Sequence, residues 1–495
     1  MRQTRFMASS ATATTTYLAS SQARLPRWRD ILPSGRHAEY PGTERHNIYL
    51  DTDEHDLRRW GCELRYRNPG TDDVAGWELV VPGDKLGTEL HVASDDSNLV
   101  PDELTVAVAG LTGGRPLRRS VTLGIDEHRH EWYDRKDRLL ARIGVETVQA
   151  TVIGQVAVVD HWQQIHLEFG TAASKKHRTA LTAALARAHA EPAPQRSELD
   201  RALAAVDSHS HPDAPSGKAV RARRVLGDYL DAQIEAIAAG DVWLRRGLDP
   251  IHPTRVAIRR LRSTLRTLQK AFEPTQRSWL DNELSWYAGL LGHVRDLQVQ
   301  RARLAAALED LPPELVMGPV AARIDTDLRA DERRRLDEVL RTLDSDRYRT
   351  LLAALARWRI EPPLTEDADR PRVIEKAARR AERKADTRAR AAAAGEDELA
   401  LHRARKAAKR ARYAVELATP LLGRNRAKRK IARYTDIQTV LGDHQDSAVA
   451  TDLLREFGAR AGTTPGENGF TFGLLYGLEL RAADRARRRA SDLTT

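Results

Sequence analysis

Residues 252–266 read HPTRVAIRRLRSTLR, and residues 402–415 read HRARKAAKRARYAV. Both fit H-x-x-R-x-x-x-[RK]-R-x-R, at an offset of 150 residues. On a helix of about 3.6 residues per turn, His252, Arg255, Arg259, Arg262 and Arg266 share one stripe. His402, Arg405, Lys409 and Arg412 repeat it, with Arg260, Lys406 and Arg410 beside the stripes. Stacked cations at this spacing repel by roughly a few tenths of a kcal/mol per pair. Helix stability does not select such an arrangement, whereas an extended polyanion lying along it would offset the repulsion.

A second pair of markers has the same offset. Residues 291–304 read LGHVRDLQVQRARL and residues 441–454 read LGDHQDSAVATDLL, aligning Gly292 with Gly442 and Asp296 with Asp446. Two unrelated markers sharing one offset identify an internal duplication. From Val220 onward, Ala, Leu and Arg dominate, and the breaks are marked by Pro and Gly. Candidate helices cover 220–240, 252–272, 276–291, 294–309, 315–342, 347–359, 371–393, 397–419, 425–441, 444–460 and 470–491. The expected architecture is all-α over 219–490, two tandem four-helix bundles of about 219–360 and 371–490 packed as pseudo-twins.

In that arrangement the two cationic helices are equivalent elements, and if they face each other they line one basic groove. Arginine suits such a groove because its planar guanidinium binds phosphate oxygens bidentately and stays charged. His252 and His402 are expected at helix starts, where the dipole also favours an anion. Capping or structural hydrogen bonding is the alternative role for both. Gly292 and Gly442 permit either a turn or a close helix contact, and Asp296 and Asp446 suit a helix start or a buried ion pair. The later run Arg424, Arg426, Lys428, Arg429, Lys430 and Arg433 either extends the groove or is solvated.

Composition agrees with this division. A chain of 495 residues is expected to form two or three domains. Residues 1–210 hold 26 Lys+Arg against 29 Asp+Glu, and the remainder 54 against 41, so the later part carries the whole positive excess of +10. A single cysteine, Cys62, excludes an internal disulfide and fits a buried small hydrophobe in a reducing compartment. No apolar run reaches the roughly 20 residues that span a bilayer. The N-terminus has no apolar signal region, and the expected location is cytoplasmic.

Residues 1–205 have α+β character. Strand-like stretches are 45–52, 62–67, 77–81, 119–125, 127–134, 138–144, 152–160 and 162–170, with a helix over 174–190 opening at Ser174. Residues 206–218 read as a polar linker whose His209 and His211 are solvated.

The order Y-L-D-T, L-R-Y-R, W-x-L-x-x-P, W-x-x-I-x-L-E and R-S-x-L over roughly residues 10–205 resembles the CYTH domain. That resemblance implies an antiparallel β-barrel of the triphosphate-tunnel type, whose acids hold a divalent cation and whose bases hold triphosphate. This chain departs from the family pattern at its catalytic positions. Residues 11–18 lack the E-x-E-x-K charges, Val80 stands for a lysine, and Gln164 and His166 stand for acids, leaving Glu168. Arg196, Ser197 and Glu198 replace R-S-K, and the central strand reads VTLGI. Arg65 and Arg67 remain. The barrel is therefore expected to be inactive, with no catalytic or metal-binding residues assigned, and Mg²⁺ or Mn²⁺ relevant only if activity were retained.

The duplicated motifs resemble the CHAD domain, the conserved-histidine α-helical domain, over about residues 218–490. The resemblance implies paired four-helix bundles with a basic channel for inorganic polyphosphate. Carried over residue by residue, the binding candidates are His252, Arg255, Arg259, Arg260, Arg262, His402, Arg405, Lys406, Lys409, Arg410 and Arg412. The expected partner is inorganic polyphosphate or another polyanion, with association with polyphosphate granules. A metal-dependent triphosphatase or polyphosphatase and a nucleic-acid-binding protein are the two alternatives. The basic helices lack interleaved aromatics for base stacking.

Overall fold

Alternating apolar and polar residues place nine strands in one antiparallel sheet. The first unit of the computed structural model runs β1 (Thr15–Ser20), β2 (Arg36–Asp51), α1 (Asp56–Trp60), β3 (Glu63–Asn68), β4 (Gly76–Val80), β5 (Glu89–Ala93), α2 (Asp102–Thr112), β6 (Arg118–Tyr133), β7 (Leu139–Val152), β8 (Val158–Phe169), α3 (Lys175–Arg187), β9 (Glu191–Pro192) and α4 (Glu198–Asp207). The strand order is β5-β4-β3-β2-β6-β7-β8-β1-β9. The chain divides into two compact units, Met1–Asp213 and Ala214–Thr495. The structure describes residues 14–32, 36–68, 74–82, 89–154, 157–193, 197–207, 218–393 and 398–492. Most of the expected linker, with His209 and His211, lies outside the described residues, as do residues 11–13 and Arg196.

Each face of the sheet carries its own apolar layer. Trp132, Ala141, Ile143, Val145, Ile165 and Leu167 pack under Leu181 and Leu185 of α3. Ser174 starts that helix as expected, accepting from the His177 backbone N–H in a reciprocal capping box. On the other face, Tyr49, Val121, Leu123, Ile125, Val148 and Trp162 pack under Leu199, Ala202 and Leu203 of α4. Cys62 is buried and forms no disulfide.

Two strand expectations need correction. Residues 119–125 and 127–134 are not two strands about a turn but one strand, β6. Asp126 and Glu127 look turn-like by composition, yet Asp126 pairs with Glu44 and Thr147, so neighbouring strands satisfy the backbone on both sides. Conversely, the apolar run 152–160 contains the connection between β7 and β8.

The second unit is helical: α5 (Lys218–Arg245), α6 (Ile251–Thr267), α7 (Pro274–Glu309), α8 (Val320–Thr342), α9 (Asp346–Ile360), α10 (Pro371–Ala393), α11 (Glu398–Leu422), α12 (Arg424–Ala461) and α13 (Phe470–Asp492). The duplication is visible in the helix bounds, since α8 and α13 begin and end at one offset. The breaks expected inside α7 and α12 do not exist. A glycine in a helix costs only about 1 kcal/mol, and here packing outweighs it. Gly292 and Gly442 therefore lie within continuous helices, and Asp296 and Asp446 are interior rather than helix-start residues. The first repeat gains α9, which has no counterpart among the described residues of the second.

The repeats share a core. Leu304, Leu308, Ile324 and Leu328 of α7 and α8 pack with Leu454, Phe457, Phe472 and Leu475 of α12 and α13. Arg303 of α7 reaches Glu479 of α13 at 2.7 Å. No helix of the described residues is long and apolar enough to cross a membrane.

Candidate functional site

Helix α6 buries Ile251, Ala257, Ile258, Leu261 and Leu265, and α11 buries Ala404, Ala407, Ala408, Ala411 and Val415. The two helices pack against each other, which brings cations of both repeats into one field. Burial, reinforced by Arg405, Arg259 and Arg255, pushes the Lys409 ammonium down to about 7, with Asp446 opposing. Burial, with Arg255, Arg405 and Arg412 nearby, also holds Arg259 below the usual arginine range. Among the described residues, no carboxylate lies within ion-pair distance of Arg259, Arg405 or Lys409. The Nε atoms of Arg259 and Arg405 are buried without a hydrogen-bond partner. Partly desolvated cations without a paired carboxylate are costly, and a bound anion would offset that cost.

The duplicated glycines make room for it. A Cβ on Gly292 would stand 3.0 Å from Arg255 Nη2, and one on Gly442 would stand 3.2 Å from Arg405 Nη2. Each glycine thus lets the arginine of the preceding helix lie flat on a continuous helix, which explains why the two markers travel together. Arg255 also pairs with Asp296 at 2.9 Å. Burial raises the carboxyl of Asp446, against the pull of Arg405 and Arg303. Replacing both glycines by alanine should add roughly 1 kcal/mol of helix preference per site while displacing both guanidinium groups. The expected outcome is a thermal midpoint at or above wild type with weakened anion binding, read by melting and titration of one preparation.

The remaining candidates divide by partner. Arg262 and Arg266 share Asp281 at 2.9 and 2.7 Å. Arg260 and Arg412 share Glu416 at 2.9 and 3.4 Å. These four are tied to carboxylates, whereas burial, reinforced by Arg266 and Arg388 and opposed by Asp281, holds Arg410 below the usual range. Lys406 is exposed. His252 is exposed in the first turn of α6, as expected. His402 lies one turn inside α11 rather than at its start, and its Nδ1 is 3.3 Å from Gln445 Oε1. In the later basic run, Lys430 pairs with Glu382 and Arg433 with Asp386, whereas Arg424, Arg426, Lys428 and Arg429 are exposed.

In the sheet unit, register puts the tunnel positions on the face covered by α4. Tyr49, Arg65, Glu78 and His91 stand in one row across four strands. Arg65 and Arg67 both turn to Glu78, at 2.8 and 3.6 Å. Further along, Glu146 is bound by Arg45, by His166 at 3.1 Å and by Gln164 at 3.0 Å. Burial pushes the Glu146 carboxyl up, but these donors outweigh it and hold it below the usual range. Glu198, at the start of α4, accepts from Asn47, Tyr49 and Gln164 at 3.3–3.4 Å. The carboxylates on this face are thus already engaged by basic or neutral donors. Among the described residues, no group of three or more His, Cys, Asp or Glu is arranged to hold a metal ion. This donor set does not fit the divalent cation of a triphosphate tunnel. The sequence reading missed Glu146 and Arg45, which no local motif marks.

Comparison with known proteins agrees with the helical half. The CHAD domain model matches residues 228–455. Two uncharacterized proteins of Mycobacterium tuberculosis, MT2285 and Rv2226, are 31% identical over 489 residues, covering 94% of this chain and 92% of theirs. Among solved structures, PptA from Streptomyces chartreusis is 22% identical with a TM-score of 0.45, covering 55% of this chain and 98% of that one. The CHAD domain from the plant Ricinus communis is 24% identical with a TM-score of 0.43, covering 55% and 91%. The PH1819 protein from Pyrococcus horikoshii OT3 is 16% identical with a TM-score of 0.22, covering 40% and 99%. With its duplicated histidine–arginine helices and paired glycine markers, the chain carries a CHAD domain and belongs to the same family as these two mycobacterial proteins.

Proposed function

We propose that this protein binds inorganic polyphosphate in the groove between α6 and α11 and does not hydrolyse it. One observation carries the reading: Arg259, Arg405 and Lys409, drawn from both repeats, stand half-buried together with no carboxylate within ion-pair distance among the described residues, and Asp446 is the one acid whose field opposes theirs. A chain of phosphates supplies closely spaced negative charge along a line, which matches two opposed stripes of cations better than any compact anion. His252, Arg255, His402 and Lys406 border the same groove, and Arg260, Arg262, Arg410 and Arg412 flank it. The ligand's own location implies a cytoplasmic protein associated with polyphosphate granules. The sheet unit acts as an inactive partner domain, because its carboxylates are engaged by Arg45, Arg65, Arg67 and His166.

The test is a binding series with long polyphosphate, duplex DNA and RNA at several salt concentrations, joined to a tripolyphosphate hydrolysis assay with Mg²⁺ and Mn²⁺. The expected result is tight, steeply salt-dependent binding of polyphosphate and no turnover. Metal-dependent turnover that disappears when Arg65 and Arg67 are replaced would favour the triphosphatase reading. Equal affinity for DNA at physiological salt would remove the preference for polyphosphate.

A further inference from the structure

Helix α10 turns Ile374, Ala378, Ala381, Ala385, Ala389 and Ala392 inward. Its acids Glu382 and Asp386 are engaged by Lys430, Arg433 and Tyr434 of α12. A different edge of the helix carries Lys376, Arg380, Lys384 and Arg388 at steps of four, with Arg383 alongside. These cations form one open, solvent-facing edge of the helix. Among the described residues, none of the five has a carboxylate within ion-pair distance. Four like charges at this spacing disfavour the helix, so the stripe, like those on α6 and α11, is not explained by local stability. Arg388, with partial burial, Arg410 and Arg380, holds the Lys384 ammonium below the usual lysine range, which places these side chains in one field.

The stripe is continuous with the groove on one flank only. Arg410 faces both Arg388 of α10 and Arg266 of α6. By the duplication, the counterpart of Arg410 is Arg260 and that of Arg266 is Glu416. On the Arg260 flank the facing pair is an ion pair at 2.9 Å. On the Arg410 flank the facing pair is two cations, of which Arg266 is held by Asp281 at 2.7 Å and Arg410 has no carboxylate within ion-pair distance among the described residues. Positive surface therefore leaves the groove asymmetrically, through Arg410 and onto α10, where it runs for about 18 Å from position 376 to 388.

Resting on the groove reading above, we propose that the α10 edge is a second polyphosphate track, joined to the groove through Arg266 and Arg410. One long chain then occupies both, whereas a chain of a few phosphates fills the groove alone. The track selects for length without any new contact in the groove, because the second segment binds as a tethered ligand.

The test uses the full chain with Lys376→Gln, Arg380→Gln and Lys384→Gln together. All three positions are exposed, and Gln is a good helix former, so circular dichroism should match wild type. Long and short polyphosphate are titrated over a salt series. The triple variant should bind long chains roughly tenfold or more weaker and short chains as wild type does. The slope of log affinity against log salt for long chains should become shallower by about two, at roughly 0.7 per lost contact. An unchanged long-chain affinity and slope would overturn the track and leave α10 with a solvated basic face. Wild-type protein that binds neither length would overturn the groove reading itself, and the track with it.

Discussion

Arg259→Glu combined with Lys409→Glu should abolish polyphosphate binding and leave the helical unit folded. These are the two innermost cations of the site, one from each repeat. A charge-assisted hydrogen bond is worth about 1.5–3 kcal/mol, so losing two weakens binding by roughly 10²–10⁴-fold, and reversal adds repulsion to that. The fold should survive because the new carboxylates enter a field that already contains Arg255 and Arg405. Where buried cations repelled one another, the variant has ion pairs. Titration with long polyphosphate and a thermal melt of the same sample check both halves. Retained binding would mean that α6 and α11 do not form the site.

Lys409 should make binding depend on pH in a window set by its depressed ammonium. Its proton leaves near pH 7 in the free protein, against an ordinary lysine value of 10.5. A polyanion favours the charged form and raises that midpoint. From about 7 up to that raised midpoint binding therefore takes up a proton, and affinity falls as pH rises, by at most about tenfold per pH unit. Lys409→Arg, which stays charged, should flatten the profile between pH 6 and 9. The same shift predicts stability. Within this window the unfolded chain holds a proton that the folded chain lacks, so this residue's contribution to stability rises with pH and is lowest below 7. Lys409→Met should therefore stabilise the free protein at neutral pH by roughly 1–2 kcal/mol, the usual scale of such function-for-stability exchanges, while weakening binding. A urea titration of wild type and variant at pH 6.5 and 9 separates this residue from all others. A difference that does not change with pH would argue against a depressed Lys409.

The limits of the sequence reading follow from particular residues. The polar pair Asp126–Glu127 imitates a turn, because composition does not reveal that a strand has neighbours on both sides. Gly292 and Gly442 imitate helix ends for the same reason: their role depends on Arg255 and Arg405, which come from another helix. His402 heads its motif but not its helix, since α11 already covers Glu398, close to the expected start at 397. On α10 the spacing of Lys376, Arg380, Lys384 and Arg388 was there to be read, but a single stripe is the commonest form of solvated face. It gains meaning only beside Arg410 and Arg266.

What the sequence by itself determined is the class of each unit, the duplication and the identity of the two cationic stripes, because periodicity and repetition are properties of the chain alone. What the tertiary structure decided is which of those cations remain without a paired carboxylate. Asp281 takes Arg262 and Arg266, and Glu416 takes Arg260 and Arg412, while Arg259, Arg405 and Lys409 are left together. Arg412 and Glu416 lie one turn apart on a single helix, but the carboxylates that take Arg260, Arg262 and Arg266 are fifteen or more residues away, and they are partners only because of how the helices cross.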